Sequence, residues 1–88
     1  MKVQYLKSLE RDLGKINDKK IKQKLKLIFL EMKEAKTLDE VKSVKKLVGH
    51  PTAYRIRVGS YRLGFYFENN TMILSRFVKR NDIYKLFP

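Results

Sequence analysis

Arg55, Arg57 and Arg62 lie in the stretch TAYRIRVGSYRLGFYF, residues 52–67, where they alternate with tyrosine, phenylalanine and aliphatic side chains around one Gly-Ser pair. A guanidinium keeps its charge at any physiological pH and presents a fork of N–H donors that fits phosphate oxygens. Several of them together, without acids, make a group suited to holding an oxyanion. The stretch contains no acid, and the next one along the chain is Glu68. Lys79, Arg80 and Tyr84 extend the basic and hydroxyl chemistry toward the C-terminus, and Lys42, Lys45 and Lys46 precede the stretch as a candidate phosphate-contacting patch. One histidine and no cysteine argue against a zinc centre and leave no disulfide framework. No metal or cofactor is expected.

The charge balance carries the same message at larger scale. The 88 residues hold 21 Lys+Arg against 9 Asp+Glu, a net +12, which implies a polyanionic or acidic partner. Residues 1–40 contribute 11 bases and 7 acids, whereas residues 41–88 contribute 10 bases and only Glu68 and Asp82. The second half is therefore the expected binding half. The lysines between positions 19 and 26 are expected to steer a polyanion rather than to recognise it. The length suits one domain over residues 1–88. No apolar run is long enough for a membrane span, and the charged N-terminus does not read as a signal peptide, so the cytoplasm is expected.

Period-two alternation runs from Tyr54 to Val58 and again from Tyr61 to Glu68, separated by Gly59-Ser60, and reads as a β-hairpin with a two-residue Gly-X turn. That turn pairs Val58 with Tyr61, Arg57 with Arg62, Ile56 with Leu63 and Arg55 with Gly64. Paired residues project to one face roughly 5 Å apart. One face then holds Tyr54, Ile56, Val58, Tyr61, Leu63, Phe65 and Phe67 for the core. The other holds the arginines, with Gly64 leaving space for a phosphate or base. Asn69-Asn70 is a second turn, leading to the strand TMILSRFV. With no irregularity, Phe77 would face Arg62, Ser75 would face Gly64, and Lys79 would extend the arginine face. The same register sends Arg76 into the core beside Met72, Leu74 and Val78, a conflict that a β-bulge would relieve.

The remaining elements must brace this hairpin. MKVQY reads as a short opening strand. Leu6, Leu9, Leu13 and Ile16 recur at helical spacing, and Asn17-Asp18 offers the N-cap of a second helix. The second stripe is Ile21, Leu25, Ile28, Phe29 and Met32. Leu27 and Leu30 widen it, which predicts deep packing. Thr37 and Glu40 have capping-box spacing and predict a short helix to about Val44, which Gly49-His50-Pro51 prevents from continuing. Residues NDIYKLF predict a C-terminal helix, capped by Asn81 or Asp82 and packed through Ile83, Leu86 and Phe87. The fold class is α+β: an N-terminal helical hairpin on a small twisted antiparallel sheet, with a short C-terminal helix.

The run YRIRVGSYRLGF and the late KRNDIYKLFP resemble the RelE-type toxins of the RelE/ParE toxin–antitoxin superfamily. The resemblance spans most of the chain. It implies a metal-independent endoribonuclease that enters the ribosomal A site and cleaves mRNA through attack of the ribose 2′-OH, leaving a 2′,3′-cyclic phosphate and a 5′-OH. It also implies contact with the ribosome and its rRNA, an acidic RelB-like antitoxin, and an operator-DNA complex formed through that antitoxin. By the resemblance Arg62 stabilises the scissile phosphate, and Arg57 acts as an electrostatic clamp. Lys79 or Arg80 supplies the late basic group, and Tyr84 orients the 2′-OH or stacks on a base. Arg55, Lys42, Lys45 and Lys46 contact RNA. Some members carry lysine where this chain has Arg55 and Arg57, so the general base is left unassigned. Two alternatives stay open: a ParE-like inhibitor of DNA gyrase, and a non-catalytic RNA-binding relative.

Overall fold

The computed structural model describes residues 1–88. The chain runs β1 (Lys2–Tyr5), α1 (Lys7–Gly14), α2 (Lys19–Glu34), a single 3₁₀ turn (Leu38–Glu40), β2 (Val44–Lys46), β3 (Ala53–Val58), β4 (Tyr61–Glu68), β5 (Thr71–Lys79) and α3 (Arg80–Leu86). The strands form one sheet in the order β1-β5-β4-β3-β2. Its pairs are antiparallel from β5 to β2, and β1 joins β5 in parallel.

Both two-residue turns have the backbone their sequences require. Gly59 sits at φ +60, the positive angle needed at the first position of a Gly-X turn. Asn69 and Asn70 are at φ 50 and 56, the doubly positive pattern of a type I′ turn. The β3–β4 register is the one the Gly-Ser turn predicts, with Arg57 opposite Arg62 and Arg55 opposite Gly64.

The β4–β5 ladder keeps the regular register only as far as Phe65–Leu74. A bulge at Ser75 then shifts it, so that Gly64 faces Arg76, Leu63 faces Phe77 and Arg62 faces Val78. The uninterrupted pairing expected from the sequence is corrected accordingly: Phe77 lies in the core, and Val78 takes the place opposite Arg62. The bulge coincides with the end of β1, where β5 loses its backbone partner. Side chains of α1 take over there. Ser8 Oγ donates to the Ser75 carbonyl at 2.6 Å, and Asp12 accepts the Phe77 N–H at 2.9 Å. Asp12 also accepts two hydrogen bonds from Arg76, Nε at 2.7 Å and an Nη at 3.0 Å. This buried acid satisfies an orphan strand donor and the charge of Arg76 together, which removes the conflict at that arginine.

The main core lies between the sheet and the N-terminal helices, with Leu9, Leu25, Met32, Leu63, Phe65, Met72, Leu74 and Phe77 among its fully enclosed members. Asp18 caps α2 by accepting from the Lys20 and Ile21 N–H groups. Leu27 and Leu30, however, are 65% and 48% exposed, so α2 packs through a narrower stripe than its composition suggests. The Thr37–Glu40 capping box forms but starts only one 3₁₀ turn, because the chain leaves it for β2. On the opposite face of the sheet a second, small core joins Ala53, Ile83 and Phe87, with Leu47, Tyr66 and Val78 around it. It seats α3 on the hairpin. Phe87 fills the space above Gly64, where an added Cβ would stand 2.6 Å from the Phe87 ring. The opening expected there for a ligand is closed by this ring.

A candidate phosphate-binding site

The hairpin, β2 and α3 enclose a cavity of about 450 Å³ lined by Arg55, Arg57, Arg62, Arg80, Lys45, Ser43 and Tyr84, with no carboxylate among them. Each side chain arrives for an identifiable local reason. Arg57 and Arg62 are cross-strand partners. Lys45 lies opposite Arg55 because β2 pairs with β3 in that register. Arg80 and Tyr84 are four residues apart on α3, hence on one side of the helix. The Arg80 N–H donates to the Ser60 carbonyl at 2.9 Å, which ties the start of α3 to the hairpin turn.

Two arginines have fixed orientations. Arg62 donates from one Nη to the carbonyls of Gly59, at 3.1 Å, and Tyr61, at 2.9 Å. Its partial desolvation, then the nearby charges of Arg57 and Arg80, lower its pKa from the ordinary arginine value. Arg55 donates to the Tyr84 hydroxyl at 3.0 Å, and that hydrogen bond is the main cause of a lowered Tyr84 pKa, with Arg80 adding to it. The cavity is thus a concentration of like charge that an entering anion relieves. Guanidiniums keep their charge near neutral pH, so Lys45 and Tyr84 are the cavity's candidates for proton transfer.

The other expected residues are distributed around this cavity. Lys79 pairs with Tyr61 across the shifted ladder and lines an adjoining hollow with Arg57, Gly59, Ser60, Arg62, Arg80 and Asn81. Lys46, at the end of β2, lines a different neighbouring cavity. Lys42 is exposed and lines none of these three; its backbone N–H donates to Glu31. Helix α3 begins at Arg80 after Lys79, with no side-chain cap, so neither Asn81 nor Asp82 caps it. Ser43 and strand β2 escaped the sequence reading, since three residues are too few to display a period. No group of three or more His, Cys, Asp or Glu side chains is placed to hold a metal ion.

No family model matches the chain. A curated relative, Toxin RelE3 of Methanocaldococcus jannaschii, is 37% identical over 89 residues and matches all of both chains. Among solved structures, the RelB–RelE antitoxin–toxin complex from Methanococcus jannaschii contains a chain that is 34% identical with a TM-score of 0.82, covering 97% of this chain and 99% of that one. A chain of the intact Escherichia coli RelBE complex has a TM-score of 0.69 at 20% identity, over 89% and 94% of the two chains, and shares the fold.

Proposed function

The chain belongs to the RelE family of toxins, and from that premise we propose that it is the toxin of a toxin–antitoxin pair that cleaves mRNA in the ribosomal A site. The observation that carries this reading is the acid-free cavity in which Arg55, Arg57, Arg62 and Arg80 meet Lys45 and Tyr84. The substrate group is an RNA phosphodiester. Its ribose 2′-oxygen attacks phosphorus, the 2′-O–P bond forms and the P–O5′ bond breaks, giving a 2′,3′-cyclic phosphate and a 5′-OH.

Arg57 and Arg62 hold the non-bridging oxygens, whose negative charge grows in the transition state. Donors already oriented for such charge contribute most to catalysis of this kind. Arg62 is the better oriented of the two, through its bonds to the turn carbonyls. Tyr84, polarised by Arg55, takes the proton from the 2′-OH. Lys45 delivers one to the leaving 5′-oxygen. Lys79, Lys42 and Lys46 contact flanking phosphates of mRNA or rRNA.

The partner that silences this activity is a RelB-like antitoxin, as in the complexes of the M. jannaschii and E. coli relatives, and its acidic groups complement the net +12 of this chain. The complex contacts operator DNA through the antitoxin. The place of action is the cytoplasm, and one domain over residues 1–88 carries all of it.

Mapping mRNA 5′ ends in translating ribosomes tests the reading. Codon-phased cuts are expected with the protein and not with Arg62→Ala. Intact mRNA together with altered plasmid supercoiling would instead assign the chain to gyrase inhibition.

A further inference from the structure

Ser43 is one of three non-glycine residues at positive φ, and the other two make up the Asn69-Asn70 turn. At φ 64 it holds a left-handed backbone that glycine adopts without strain, yet the chain places a hydroxyl there. Its neighbours fix it in that conformation. Val41 is buried in the core, and its N–H donates to the Leu38 carbonyl. The Lys42 N–H donates to the Glu31 carboxylate at 2.8 Å, and Val44 opens β2 opposite Ile56. The chain thus turns at Ser43 between an anchored segment and a strand, and the residue lines the cationic cavity together with Lys45, two positions on.

The Ser43 hydroxyl brings an acceptor to a cavity built of donors. The four arginines and Lys45 only donate, so they match phosphate oxygens and leave a ribose hydroxyl without a group to receive its proton. Among the lining side chains, Ser43 and Tyr84 alone have oxygen that accepts. The Tyr84 oxygen is engaged by Arg55 and takes the proton of the attacking 2′-OH. That leaves the 2′-OH of the next ribose, on the leaving side of the scissile phosphate. Lys45, in protonating that nucleotide's 5′-oxygen, draws the same sugar to the start of β2, where Ser43 stands. We propose that Ser43 accepts a hydrogen bond from this second 2′-hydroxyl, so that the site selects ribose on both sides of the bond it cuts. The proposal rests on the RNA reading above and adds a specificity-determining residue to it. Phosphate is the poorer occupant for Ser43, because charged donors surround it and bind phosphate more strongly than a neutral hydroxyl does. A deoxyribose in that place forfeits the bond.

The leaving-side 2′-hydroxyl is not consumed, so its removal leaves the reaction possible. Two messages are compared that differ by a single 2′-deoxy substitution at the nucleotide 3′ to the mapped cut. Their single-turnover cleavage on programmed ribosomes is measured with the native protein and with Ser43→Gly. Glycine suits φ 64 and removes only the side chain, so the melting temperature should hold. The native protein is expected to cut the deoxy message about tenfold more slowly, the size of one hydrogen bond between neutral groups. Ser43→Gly should cut the all-ribose message about tenfold more slowly than the native protein does. It should cut both messages alike, since the two changes remove one shared bond. Equal cutting of the two messages by the native protein overturns the proposal, and so does a Ser43→Gly variant that still prefers ribose. Either result leaves the RNA reading standing. If the native protein cuts neither message, the RNA reading and the role of Ser43 fall together.

Discussion

Arg55 on β3 and Tyr84 on α3, 29 residues apart in sequence, are joined by a 3.0 Å hydrogen bond from guanidinium to phenol oxygen. The contact joins the sheet to the C-terminal helix at the wall of the cationic cavity. It also changes the acidity of Tyr84, since a phenolate accepts that hydrogen bond more strongly than a phenol does.

Removing the donor should therefore be visible as a titration. In the native protein one tyrosine of the five is expected to ionise below the ordinary phenol value, followed by ultraviolet absorbance, and Arg55→Ala should return it toward that value. The sign for stability follows from a folded-state pKa that is lowered: the contribution exists above the unfolded pKa of about 10 and is lost as pH falls through the folded value, so nothing is gained at neutral pH. RNA cleavage that uses Tyr84 as base should move its alkaline rise to higher pH in Arg55→Ala. An unchanged cleavage profile would remove Tyr84 from that role.

Arg57 and Arg62 exert repulsion on each other without an acid to relieve it. Arg62→Ala is expected to reduce cleavage by about 10²–10³-fold, the usual loss for one oriented donor to developing charge. Its melting temperature should hold or rise, because the opposed charges are gone. Phosphate should raise the melting temperature of the native protein more than that of the variant. A large drop in stability in Arg62→Ala would show that the cluster is structural rather than a binding device.

Asp12 is 5% exposed and serves both Arg76 and the Phe77 N–H. Asp12→Ala leaves a half-buried charge and a buried donor unpaired, and should cost about 2–4 kcal/mol in urea unfolding. The double variant Asp12→Leu with Arg76→Met removes the charge as well and should recover part of that loss. Equal destabilisation in the single and double variants would place the whole effect on the Phe77 N–H.

Gly64→Ala should push Phe87 outward, since the new methyl would meet its ring at 2.6 Å. The expected stability loss is about 1–3 kcal/mol, typical of overpacking. Cleavage should fall further than stability alone accounts for, because α3 carries Arg80 and Tyr84. Gly64→Ala combined with Phe87→Leu should restore much of the stability. Full activity in Gly64→Ala would mean that the seat of α3 does not position the site.

The β3–β4 hairpin was legible in the sequence to the level of individual pairs, because a two-residue turn with glycine at its first position allows one register and alternation fixes the faces. The N-terminal helices were legible for the same kind of reason, from apolar spacing and the Asp18 cap. What escaped was set by contacts distant in sequence. The bulge at Ser75 answers to Ser8 and Asp12, more than 60 residues earlier. Strand β2 forms because β3 offers an edge to three residues with no pattern of their own. Leu27 and Leu30 satisfy helical spacing, yet the fold leaves both largely exposed. The same limit applied to the site: Arg55, Arg57 and Arg62 announced themselves, while Ser43 entered the cavity only through β2.

The bulge makes β5 a strand with one residue more than its ladder uses. Deleting Ser75 would leave every observed β4–β5 pair in place, since Leu74 and Arg76 already face the consecutive residues Phe65 and Gly64. Restored alternation would then aim Arg76 away from Asp12 and toward the ring of Phe87 above Gly64. A protein shortened by that single residue would keep its sheet and lose the seat of its last helix, so the spare residue in β5 works as a spacer that keeps a structural arginine off the α3 side of the sheet.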